Sequence, residues 1–115
     1  MDYEDEEFDP AHRWEVIATD DVQEDLDAFV YYLLVEKMND QAATALIDDY
    51  EEVIDDLEGS AGAYGPVNNP RLATLGYKKI LLKRHNYYLI YRIEGEKVFV
   101  EHMYHGLQDK DGVFD

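Results

Sequence analysis

Apolar side chains recur along this chain at two periods, and the point where one gives way to the other divides it. Val22, Leu26, Phe29, Val30 and Leu33 fall on one side of a 3.6-residue repeat, which predicts an amphipathic helix over 21–37. Asp20 offers an N-cap to it, with Gln23 in the capping-box position. Ala43, Leu46, Ile47, Tyr50, Val53, Ile54 and Leu57 step by three, one and three, predicting a second helix over 41–58. Asn39 or Asp40 caps it, and Gly59 ends it at the C′ position. Its opposite face reads Asp48, Asp49, Glu51, Glu52, Asp55 and Asp56. The link at 38–40 is short enough for an antiparallel helical hairpin.

A period of two brackets these helices. Trp14, Val16 and Ala18 share one face of a short strand at 14–19. From Glu58 to Asn69 glycine dominates, and Pro66 and Pro70 lie close by, so the segment reads as a loop. After Gly76 the residues turn β-branched and aromatic, giving strands at 77–84, 87–94 and 97–104. The connections His85-Asn86 and Glu94-Gly95-Glu96 suit antiparallel hairpins. The order β-α-α-β-β-β predicts an α+β domain, a helical hairpin packed on an antiparallel four-stranded sheet. Leu46, Tyr50, Val53, Ile54 and Leu57 should then be buried against Leu26, Phe29 and Leu33. Residues 1–13 are a charge run without periodicity, expected as a disordered acidic tail ahead of a single domain at 14–115.

Charge changes the functional picture. The 115 residues carry 27 acidic and 10 basic side chains, a formal net charge of −17. That balance excludes a simple nucleic-acid or membrane-surface binder, because both ligands are polyanions. The charge is also lopsided: residues 1–58 hold 21 acidic and 2 basic side chains, and residues 59–115 hold 6 and 8. With no cysteine there are no disulfides and no thiolate metal sites. No apolar run approaches the ~20 residues of a membrane span, and the acidic N-terminus is unlike a signal peptide. The chain is expected to be cytoplasmic.

Six phrases together resemble the RelE/ParE superfamily of type II toxin-antitoxin toxins. They are WEVIAT, DDVQEDLDAFVYYL, AATALIDDYEEVIDDL, LGYKKILL, NYYLIYRI and VFVEHMYHGLQD, and the resemblance covers about 14–114. The resemblance implies a small growth-inhibiting toxin neutralised by a cognate antitoxin, which usually wraps a helix or strand around it. Two mechanisms occur in the superfamily. RelE-like members cut mRNA on the ribosome, whereas ParE-like members inhibit DNA gyrase. RelE-like nucleases place an arginine where this chain has Tyr88, and carry arginines where it has Gly106, Leu107 and Gln108. A ParE-like inhibitor therefore suits the chain better, with the RelE-like mRNA endonuclease as the alternative.

Metal-free RNA cleavage needs a base, an acid and cations on the scissile phosphate. His105 matches a C-terminal histidine in some nuclease members, and Tyr104 precedes it. Lys78, Lys79, Lys83, Arg84 and Arg92 are the candidate substrate-binding cations, and Lys78, Lys79, Arg92, Tyr104 and His105 are expected to line one concave positive surface. The lysines also suit an edge strand guarded against aggregation, and both readings can hold, with phosphate contact the preferred one. Tyr87, Tyr88 and Tyr91 read as core more readily than as base-stacking platforms. His102 and His105 point to opposite faces of a strand, so no metal is expected there, nor any cofactor. Asp48, Asp49, Glu52, Asp55 and Asp56 form a candidate docking stripe for a basic antitoxin segment, which could alternatively lie close to the first helix.

Overall fold

A computed structural model describes residues 13–67, 69–84 and 86–106. The expected acidic tail, Arg13 apart, lies outside the described residues, as do His85, Leu107 and Gln108. Strand β1 (Glu15–Ala18) leads into helix α1 (Asp20–Tyr31), which is extended by a single wide turn at Tyr32–Glu36. Helix α2 (Asp40–Ser60) returns along it and runs into a tight turn at Ala61–Ala63. A short helix α3 (Pro70–Thr74) then precedes strands β2 (Tyr77–Leu81), β3 (Tyr87–Glu94) and β4 (Lys97–His105).

The apolar spacing decides what is buried. Leu46, Tyr50, Val53 and Leu57 of α2 join Val22 and Leu26 of α1 against Ile80, Leu89, Tyr91, Val98, Val100 and Met103 of the sheet. Phe29, Leu33 and Ile54 pack at the margin of this core, half-buried. A second, smaller cluster on the other face of the sheet joins Val67 and Leu72 to Tyr88 and Ile90. Proline at the first turn of α3, and Asn69 accepting from the Arg71 and Leu72 amides, start the short helix that carries Leu72. Five residues are too few for a periodic pattern, so α3 is missing from the sequence reading.

The α+β architecture and element order are as expected, with one correction to the sheet. Its order is β1-β4-β3-β2, and β1 runs parallel to β4 while the other neighbours are antiparallel. Side-chain alternation is the same in either direction, so the sequence pattern carries no sign of it. The helical crossover returns the chain to its starting end, which sets β2 and β4 running with β1.

The element ends differ as well. Thr19, not Asp20, caps α1, its hydroxyl accepting from Val22 N and donating to Val100 O at 2.8 Å. Gly59 does not stop α2, which continues through Ser60. It is instead the point where the Arg13 guanidinium passes 2.5 Å from where a Cβ would stand. Strand β2 ends at Leu81 because the Lys83 and Arg84 amides turn away to Asp49.

Candidate functional site

Cross-strand pairing sorts the candidate residues by face. Lys79 pairs with Ile90 and then His102, Leu81 with Tyr88 and then Tyr104, and Tyr77 with Arg92 and then Phe99. These side chains project away from the helices. Residues of the opposite parity, Lys78 with Tyr91 and Tyr87 with His105, project towards them. The expected single surface is therefore divided: Lys79, Arg92 and Tyr104 lie on the open face, and Lys78 and His105 on the helical side.

On the open face a row of side chains, one lysine and three rings, crosses three strands. Lys79 Nζ sits 4.6 Å from the centre of Tyr88, whose ring lies 5.6 Å from Tyr104. Tyr104 stacks at 6.0 Å on His102. His102 Nδ1 then meets Asp25 Oδ2 at 3.1 Å, and the same oxygen accepts from the Met103 amide at 3.0 Å. Burial, reinforced by Asp25, pushes the Tyr104 phenol up to about 12, so it keeps its proton at neutral pH. On the helical side His105 meets the edge of Tyr87, which in turn meets Phe29. Acid and base candidates at 104 and 105 thus face different surroundings.

The cations are spoken for. Arg92 lies over the Phe99 ring, donates from Nε to Glu101 at 2.7 Å and pairs with Glu94. A register shift between Ile90 and Tyr91 leaves Glu101 without a cross-strand partner, and its carboxylate reaches Arg92, which pairs with Phe99; sequence spacing gave no sign of it. Lys78 Nζ donates to the Tyr64 carbonyl at 2.9 Å. Lys83 Nζ bridges Glu52 at 3.0 Å and Asp56 at 2.7 Å, and Arg84 pairs with Glu52. Hydrogen bonds from Arg84 and Lys83 hold the Glu52 carboxyl below its ordinary value, and those that Lys83 donates to Asp56 and Glu52 raise its own. Two sets of candidates, the substrate-binding cations after β2 and the partner-binding acids of α2, therefore neutralise each other.

The acidic stripe is correspondingly thinner than its sequence suggests. Asp49 is fully buried and accepts from Lys83 N at 3.2 Å and Arg84 N at 2.9 Å. Glu52 and Asp56 are half-buried in the ion pairs, which leaves Asp48 and Asp55 exposed. Two residues that sequence reasoning missed, Thr19 and Asp25, bind β4 at the end of its pairing with β1 and just beyond it. Their signal was weak: each is a polar residue on or beside an amphipathic helix, where solvation is the ordinary reading. Among the described residues no cluster of three histidines or carboxylates is placed to hold a metal, and no helix is long and apolar enough to cross a membrane.

Compared with protein-family profiles, residues 16–110 match the ParE toxin of the type II toxin-antitoxin system, parDE. Among solved structures the chain is similar to the chromosomal ParDE TA system from P. aeruginosa. The TM-score is 0.66 at 19% identity, covering 83% of this chain and 98% of that one, a likeness of fold. No curated protein sequence matches.

Proposed function

Because the chain belongs to the ParE toxin family of type II toxin-antitoxin systems, with a cognate antitoxin as its partner, we propose that it arrests growth by binding DNA gyrase and not by cutting RNA. The observation that carries this reading is the pairing of the cations. Arg92 is held by Glu101 and Glu94, Lys83 and Arg84 by Glu52, Asp56 and Asp49. A phosphate at the sheet would have to displace a carboxylate to reach any of them, and the net charge of −17 opposes its approach.

The acid–base candidates support the same reading. General acid–base cleavage of RNA needs two groups converging on one 2′-hydroxyl and one leaving oxygen. Tyr104 and His105 diverge across the sheet, and Tyr88 fills the position of the nuclease arginine, almost wholly buried beneath Val67 and Leu72. An inhibitor that works by occupancy needs neither. The test sets purified toxin against two targets. It should block supercoiling of relaxed plasmid by gyrase at near-stoichiometric ratio and leave ribosome-bound mRNA intact. Cuts in ribosome-bound mRNA with supercoiling unaffected would overturn the reading.

A further inference from the structure

Soluble amphipathic helices turn apolar residues inward, yet α1 and its wide turn also carry them outward. Tyr31 is 62% exposed, Val35 50% and Met38 83%, with Tyr32 and Leu34 exposed beside them. Tyr31 and Val35 lie four residues apart on one helical face, and the exposed Met38 follows just past the end of the wide turn. The same line continued toward the N-terminus of α1 meets Asp27, Glu24 and Asp20, all exposed. One helix face is therefore acidic over its first half and apolar over its second.

The geometry at the apolar end is unusual too. Lys37 N bonds to Tyr32 O, five residues back, and Met38 takes a left-handed backbone at φ 51°. Wide turns of this kind collect at functional positions. Lys37 is the cation of this stretch, and its Nζ lies 5.6 Å over the exposed Tyr32 ring. The helical face over residues 20–36 is about 24 Å long at the rise of a helix.

We propose that this face seats one amphipathic helix of the cognate antitoxin, apolar where it meets Tyr31, Val35 and Met38 and basic where it meets Asp20, Glu24 and Asp27. The proposal rests on the antitoxin being this chain's partner. It moves the basic segment from α2, where Asp49, Glu52 and Asp56 are already engaged, to α1. A second copy of the chain does not fit. Antiparallel pairing would press the carboxylates onto the apolar half, and parallel pairing would set them against each other.

The test measures binding of toxin to the immobilised protein of the adjacent reading frame, at low salt and at ~0.5 M salt. Val35→Glu with Met38→Glu should speed dissociation at least ~30-fold, as for two central apolar anchors. Glu24→Lys with Asp27→Lys should slow association about tenfold at low salt, and the difference should vanish at high salt. Asp48→Lys with Asp55→Lys should stay within about twofold of wild type. Circular dichroism establishes that each variant is folded. If both α1 pairs bind like wild type, or if only the α2 pair weakens binding, the docking face is wrong. If wild type itself does not bind, the antitoxin reading fails and the docking falls with it.

Discussion

Substituting Asp49 should cost the fold more than substituting any other carboxylate of α2. It is wholly buried and satisfies two backbone amides, from Lys83 and Arg84. Asp49→Ala strands both, and we expect a loss of about 2–4 kcal/mol in urea unfolding. Asp49→Asn, with one oxygen left to accept, should lose less. Its neighbour Glu52 acts through pH. Arg84 and Lys83 hold the Glu52 carboxyl below 4.5, so its contribution is present above that value and is lost as pH falls through the lowered one. Glu52→Gln should therefore be less stable than wild type at pH 7, and the difference should narrow as pH falls below 4.5 in an acid titration of the melting temperature. Sequence reading placed both residues on the polar face of the second helix, in the candidate docking stripe. A step of one residue around a helix turns Asp48 to water and Asp49 to the turn after β2, and periodicity does not resolve which acid lies at that border.

At the scale of elements the apolar code was legible and the polar joinery was not. Leu46, Tyr50, Val53 and Leu57 follow a stripe that only a helix buries, and they are buried. The direction of β1 and the edge of β4 depend on long-range pairing, which no local pattern encodes. Strand β1 covers β4 only from Lys97 to Val100, after which α1 takes over. The Thr19 hydroxyl bonds to Val100 O and caps α1, and the Asp25 carboxylate takes the Met103 amide. Thr19→Ala removes a cap and a long-range bond together, and we expect it to cost about 1–2 kcal/mol by thermal unfolding. Thr19→Ser, which keeps the hydroxyl, should recover most of that loss. The Tyr91 hydroxyl similarly ties β3 to the end of α2 by donating to Ala61 O at 2.6 Å. Tyr91→Phe should cost about 1 kcal/mol.

Across the whole molecule charge sets the terms. With 27 acidic and 10 basic side chains, repulsion among carboxylates outweighs the few ion pairs after β2. Raising salt from low to ~0.3 M should therefore raise the melting temperature, although it weakens those pairs. The candidate site was legible only as a set of residue types. Lys79, Arg92 and Tyr104 do share a face, but Lys78 and His105 belong to the other, and Glu94 and Glu101 turn Arg92 from a phosphate ligand into an ion-pair partner. The central claim is that inhibition is occupancy of a target and not catalysis. Its most direct test is growth on inducing toxin that carries Tyr104→Phe and His105→Gln, which remove the acid–base candidates while keeping side chains of similar size. Arrest as strong as that caused by wild type is the predicted result. Growth restored by a variant that still folds and still binds antitoxin would contradict it.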